Sequence, residues 1–212
     1  GCGACAVAPY PAPLFNLEAG AWGWVHRGGA KPHNADNEVG GRPIQRSTAS
    51  AFLVEKGNHR HFMAKEMHEQ PEVVSHTLAH YLDLAAETVQ LEADLPFDFT
   101  GLERISIAAC GTAYYAGLIA KYWFEQIARL PVEIDVASEF RYREAPLPKN
   151  GLAIVISQSG ETADTLASLR YAKQEGQKVM AVVNVPTSTI ARESDAVMPT
   201  LAGPEIGVAS TK

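Results

Sequence analysis

From Arg104 onward, short β-branched or otherwise apolar runs alternate with stretches of helical spacing. Residues 105–109, 132–136, 153–156, 179–185 and 196–198 read as strands. Residues 114–129, 162–175, about 188–193 and a shorter piece near 138–142 read as helices between them. Uninterrupted apolar runs suit strands buried on both faces, and regular alternation with helices implies a parallel sheet covered on both sides. In such sheets ligands sit beyond the carboxyl ends of the strands, where the strand order reverses. Two loops are placed for this: Cys110-Gly111-Thr112-Ala113 after the first strand and residues 157–162 after the third.

The chain ahead of this region has a different texture. Residues 60–70 are helical in pattern, with Phe62, Met63 and Met67 on one face, and Pro71 either ends that helix or opens the next. Residues 73–89 read as a second helix with Val74, Leu78, Tyr81, Leu82 and Ala85 as its apolar stripe, and residues 94–100 as a connection. Residues 1–48 are rich in Gly, Pro and Ala and lack helical periodicity. Within them 15–18 and 22–26 suit short strands, and Gly28-Gly29 a turn.

Composition narrows the function. A chain of 212 residues that is 46% hydrophobic can hold one good-sized domain and a shorter attachment. A net charge of −6 without a basic run argues against nucleic acid. No apolar run reaches the roughly 20 residues of a membrane span, and no signal-peptide pattern is evident. Cys2, Cys5 and Cys110 cannot all pair, which suits a reducing, cytoplasmic protein. His76 and His80 share a helix face, yet neither a His-Glu-x-x-His arrangement nor a cysteine accompanies the five histidines between 59 and 80, so no metal is expected.

The most informative stretch is Ser157-Gln158-Ser159-Gly160-Glu161-Thr162, between an apolar strand and a helix. Unpaired first-turn N–H groups, the positive end of the helix dipole and several hydroxyls converge there, which suits a phosphate. The loop has no lysine, so it is not a Walker-type nucleotide loop. Neutral donors fit a monophosphate. A plain N-capped helix is the competing reading. Glu161 and Asp164 favour the helix dipole but would repel a phosphate, so their side chains are expected to face away.

Ser157-Gln158-Ser159-Gly160-Glu161-Thr162-Ala163-Asp164-Thr165 resembles the sugar-phosphate loop of the sugar isomerase (SIS) domain. Arg60-His61-Phe62-Met63, His68-Glu69-Gln70-Pro71, Ala109-Cys110-Gly111-Thr112, Ala137-Ser138-Glu139-Phe140-Arg141-Tyr142-Arg143, Ile190-Ala191-Arg192-Glu193-Ser194-Asp195-Ala196 and Glu205-Ile206-Gly207-Val208-Ala209-Ser210-Thr211-Lys212 narrow the resemblance. Together they are similar to the isomerising glutamine–fructose-6-phosphate aminotransferases, or glucosamine-6-phosphate synthases. The resemblance implies a three-layer α-β-α fold with a five-stranded parallel sheet at 49–212, preceded at 1–48 by a β-rich remnant of a glutaminase domain and its linker. In that case Trp22 and Trp24 are partly exposed unless another chain covers them.

The resemblance carries a sugar-phosphate site onto Thr112, Ser157, Gln158, Ser159 and Thr162. Val208, through its backbone, and Ser210 fall at sugar-hydroxyl contacts, although Gly207 or Ser210 also suits a helix cap. Ala113 replaces a serine the family commonly has, which predicts weaker phosphate binding by about one hydrogen bond. The implied activity is amino-sugar biosynthesis: ammonia passes from glutamine to fructose 6-phosphate, and the product is isomerised to glucosamine 6-phosphate without metal or redox cofactor. The family's Schiff-base lysine, proton-shuttling glutamate and ring-opening histidine belong to a second SIS domain and tail. Lys212 is not that lysine, and Cys2 is not the glutaminase nucleophile, so the chain by itself is expected to be inactive. Cys110 suits a small buried residue, and Glu205 an orienting role. The implied partners are fructose 6-phosphate or glucosamine 6-phosphate, glutamine through the missing domain, and a second copy in a homodimer. The rival reading is a non-catalytic SIS domain that binds a hexose phosphate as an effector or serves dimerisation. A Rossmann nucleotide fold is disfavoured because no Gly-x-Gly-x-x-Gly follows the first strand.

Overall fold

A computed structural model describes residues 17, 20–40, 55–91, 95–207 and 211–212. The chain divides into two compact units, one spanning Lys56–Lys212 and the other within Ala4–Glu55. In the smaller unit, β1 (Trp22–His26) and β2 (Gly29–His33) form an antiparallel hairpin. Trp22 stacks on His33, with ring centroids 4.2 Å apart, and Trp24 is 67% exposed. The strand expected at 15–18 falls largely outside the described residues, and Leu17 is not in a strand.

The larger unit opens with α1 (Phe62–Tyr81), a single helix of 20 residues with Pro71 inside it. Two helices broken at the proline were expected. A proline within a helix costs about 3 kcal/mol, and bonds from α1 to residues 199–212 support the helix on both sides of it. Glu66, Glu69 and Gln70 bond that segment before Pro71. After it, the Tyr81 hydroxyl donates to the Pro199 carbonyl at 2.7 Å and the Thr77 hydroxyl to that of Thr200. The helix stops at Tyr81 rather than near residue 89. The Asp83 carboxylate accepts from the Ala85 and Ala86 N–H groups, a turn that competes with helix. A small hairpin of β3 (Leu82–Asp83) and β4 (Thr88–Val89) follows. The apolar stripe of α1 is also not a core face: Val74 and Leu78 are exposed, and the helix's one buried residue is Glu66.

Next come β5 (Arg104–Ala109), α2 (Gly111–Trp123), β6 (Val132–Val136), α3 (Ala137–Phe140), β7 (Gly151–Ser157), α4 (Ala163–Gln174), β8 (Lys178–Val183), α5 (Thr189–Glu193) and β9 (Ala196–Pro199). The strands form a parallel five-stranded sheet in the order β6-β5-β7-β8-β9. The α/β class and all five strands agree with the sequence reading. The fourth strand ends at Val183, two residues early, and the next residue, Asn184, turns its side chain to Ala202 and Gly203 beyond the fifth strand. A π-helical turn (Phe124–Ala128) extends α2, and Arg129 closes it in the left-handed region at φ 55°.

Alternate residues of each strand feed opposite faces of the sheet. Ala108, Val155, Ala181 and Val183 pack with Phe140, Leu169 and Ile190 from α3, α4 and α5. Ile105, Ile107, Ile154 and Met180 face the other way, towards Phe124, Leu130 and the 95–102 connection. On that second side α2 comes so close that a Cβ at Gly117 would overlap Ile134 and crowd Ile107. The sense in which successive strands step across the sheet reverses after β6, so right-handed crossovers place α2 and α4 on opposite faces. Along β6, Arg143 bridges Glu133 and Asp135 at 2.7 and 2.6 Å.

Arg170 on α4 donates twice to the Glu193 carboxylate on α5, at 2.8 and 2.7 Å. This hydrogen bonding, opposed by partial burial, lowers the Glu193 pKa. Arg170 is largely exposed, which limits the pair to about 1 kcal/mol or less. A lowered carboxylate pKa contributes stability above the ordinary glutamate value of about 4.3 and loses it as acid protonates Glu193. Denaturant titration of Arg170→Ala should therefore show a small loss at pH 7 that shrinks progressively as the pH is lowered below about 4. Equal losses at neutral and acid pH would rule out an electrostatic origin.

Candidate functional site

β5 and β7 are adjacent and parallel, with Ala109 opposite Ile156, so the chains that leave them emerge side by side. From β5 the chain passes Cys110 and enters α2 at Gly111, which takes φ +57°. From β7 it passes Ser157 and loops into α4. The Cys110 and Thr162 side chains make no capping bond to their helices. The first-turn N–H groups of both helices thus face the same edge of the sheet without a side-chain partner, and the two dipoles add their positive ends there. That is not the arrangement of a self-capped helix.

Within the β7 loop the hydroxyls shape the backbone. Ser157 is buried, and its Oγ accepts from the Gly160 N–H at 3.0 Å and lies 3.0 Å from Thr162 Oγ1. Ser159 Oγ accepts from the Glu161 N–H at 3.2 Å, which leaves its O–H to donate elsewhere. Gly160 adopts φ +65° and lies against Ser188 where a Cβ would overlap Oγ. Asn184 ties the loop to its neighbours. Its N–H donates to the Gln158 carbonyl at 3.2 Å, its Oδ1 accepts from the Ala202 N–H at 2.8 Å, and its Nδ2 donates to Gly203 O at 2.7 Å.

Of the residues picked from the sequence, Ser157, Gln158, Ser159 and Thr162 share one loop, and exposed Thr112 starts the neighbouring helix. Val208 and Ser210 lie outside the described residues. Glu161 points away from the loop mouth: its carboxylate accepts from the Thr189 N–H at 2.8 Å, at the start of α5. Cys110 is half-buried at the end of β5, and Ala113 is half-buried in the first turn of α2. Glu205 binds its own segment, accepting from the Thr211 and Lys212 N–H groups. Among the described residues, no three His, Cys, Asp or Glu side chains are grouped to hold a metal.

Sequence reasoning passed over Asn184, Ser188 and the polar face of α1. Asn184 was read as part of the fourth strand, although a lone polar residue at the end of an apolar run marks a turn. The α1 contacts had no sequence signal, because they join residues some 140 positions apart.

A five-stranded doubly wound sheet with hydroxyl-rich, lysine-free loops at its switch point defines an α/β protein of the open, doubly wound class, with loop chemistry that suits a small anion. The chain belongs to the SIS domain family, whose model matches residues 99–212. All 212 residues align at 64% identity with the glutamine–fructose-6-phosphate aminotransferase [isomerizing] of Bradyrhizobium diazoefficiens, and at 61% with that of Brucella abortus. The chain spans 35% of the length of these relatives. The C-terminal domain of the glucosamine-fructose-6-phosphate aminotransferase from Francisella tularensis superposes with a TM-score of 0.66 at 45% identity, over 74% of this chain and 44% of that one. Glucosamine-6-phosphate deaminase from Thermotoga maritima shares the fold at 20% identity, with a TM-score of 0.56, over 70% of this chain and 43% of that one.

Gly160→Ala should destabilise the chain by at least about 2 kcal/mol, from the left-handed backbone and the overlap with Ser188 together. Ser188→Gly in the same chain should recover the packing part. Urea unfolding measures both, and an undiminished stability in Gly160→Ala would disprove the tight turn.

Proposed function

We propose that this chain supplies the first sugar-phosphate-binding domain of an isomerising glutamine–fructose-6-phosphate aminotransferase. The carrying observation is the loop at 157–162, whose neutral donors sit beside two uncapped helix N-termini. The ligand is fructose 6-phosphate or glucosamine 6-phosphate. Its phosphate lies against Ser157, Gln158, Ser159, Thr162 and Thr112, and its sugar hydroxyls meet the Val208 backbone and Ser210. Ser159 and Thr162 supply outward O–H donors, while buried Ser157 holds the loop in shape. No residue of this chain is assigned a catalytic role, and glutamine is used by another part of the whole protein. Residues 1–48 are the end of that glutaminase domain and its linker, 49–212 form the helical lead-in and SIS domain, and the protein works in the cytoplasm. Among the described residues no helix is long and apolar enough to cross a membrane.

The helix α2 and the π-turn after it expose Tyr115, Ile119, Tyr122, Trp123 and Ile127. A stripe of this kind supports assembly with a second copy. Light scattering that finds only monomers up to high micromolar concentration would remove the homodimer from the proposal.

Calorimetry tests the site. Fructose 6-phosphate should bind saturably, and Ser159→Ala should weaken it about tenfold or more, equivalent to about 1.4 kcal/mol. A folded chain that binds no hexose phosphate would refute the proposed site.

A further inference from the structure

The loop that carries Ser157, Gln158, Ser159 and Thr162 is held by the chain between β8 and α5. Three N–H groups of that chain donate to it: Asn184 to the Gln158 carbonyl at 3.2 Å, Ile190 to the Gly160 carbonyl at 3.0 Å and Thr189 to Glu161 Oε1 at 2.8 Å. Gly160 also lies against Ser188, where a Cβ would overlap Oγ. Two of the three bonds join main chain to main chain. The third depends on one side chain, and that side chain is a carboxylate within a loop read as an anion site.

Such a carboxylate works against the ligand, because at physiological salt a like charge is felt over about 8 Å. The bond it makes gives it a different use. Thr189 opens α5, and its N–H has no partner inside the helix. Glu161 Oε1 accepts from it in a charge-assisted bond, a kind that is geometrically demanding. The main chain of the same residue reaches the site: the Glu161 N–H donates to Ser159 Oγ at 3.2 Å, and the next residue is Thr162. One residue thus links α5 to both hydroxyls assigned as outward donors to the phosphate. We propose that Glu161 is a positioning residue, whose carboxylate anchors the loop to α5 and so fixes the Ser159 and Thr162 hydroxyls. This rests on the phosphate reading above. Glu161 itself does not touch the ligand, and its bond, not its charge, is what the site uses.

The test is calorimetry with fructose 6-phosphate on the whole chain. It compares the parent with Glu161→Gln, Glu161→Ala, Thr189→Pro and the double variant Glu161→Ala/Thr189→Pro, each checked for folding by circular dichroism. Glu161→Ala should bind at least about fivefold more weakly. Glu161→Gln keeps an acceptor oxygen and loses the charge, so it should bind within about twofold of the parent or more tightly. Thr189→Pro removes the donor N–H of the same bond, together with a surface bond from Arg192 to Thr189 Oγ1. Proline suits the first position of a helix, and Ser188 before it already has the extended ψ of 165° that a following proline favours. Thr189→Pro should therefore reproduce the Glu161→Ala loss, and it carries the comparison if Glu161→Ala does not fold. The double variant should lose no more than either single one. A general loss of stability would produce neither the rescue by glutamine nor this lack of additivity. Glu161→Ala binding as tightly as the parent or more tightly overturns the proposal. So does Glu161→Gln binding as weakly as Glu161→Ala, or a double variant in which the losses add. Each of these leaves the phosphate site standing. A folded parent chain that binds no fructose 6-phosphate overturns the site reading and this inference with it.

Discussion

β5 and β7 exchange ladder bonds from Arg104 opposite Gly151 to Ala109 opposite Ile156, and then their chains part to opposite faces of the sheet. That parting is forced by handedness: β6 lies on one side of β5 and β8 on the far side of β7, so the two crossovers run in opposite senses. The crevice between the departing chains receives two helix N-termini. The apolar runs that make these central strands thus also locate a place where two helices begin without a side-chain cap. Had the sheet run in simple sequence order, α2 and α4 would share a face and no such crevice would open.

What fills the crevice is a matter of small residues. Gly160 takes a backbone conformation that favours glycine and lies against Ser188 with no room for a side chain. Ser157 holds the turn from below, and Asn184 ties it to residues 202 and 203. The turn is therefore closed by bonds within the chain itself. Because its donors are hydroxyls and amides, the orientation of the groups matters more than total charge, in keeping with the chain's net negative charge.

The five strands, their alternation with helices and the two candidate loops were legible in the sequence because they follow from local period and from turn residues. Glu161 was placed facing away on electrostatic grounds, and its bond to the Thr189 N–H agrees. The unbroken α1 was not legible. Local rules stop a helix at Pro71, whereas bonds to residues 199–212, far away in sequence, support a continuous one. Glu66 was hidden for the same reason: one glutamate in a helix carries no signal until its partners are known. Ser188 was read only as the approximate start of a helix, and it caps that helix, accepting from the Ala191 N–H at 3.3 Å.

An open parallel sheet has two outer strands, and unpaired strand edges invite another chain to add to them. On β9, Pro199 has no N–H to offer, and the carbonyls of Pro199 and Thr200 are already taken by Tyr81 and Thr77 of α1. On β6, Glu133 and Asp135 are paired with Arg143, so an incoming strand would meet fixed charged side chains along that strand. The bonds that support α1 and the ion pairs along β6 therefore also act against edge-to-edge addition of a further strand.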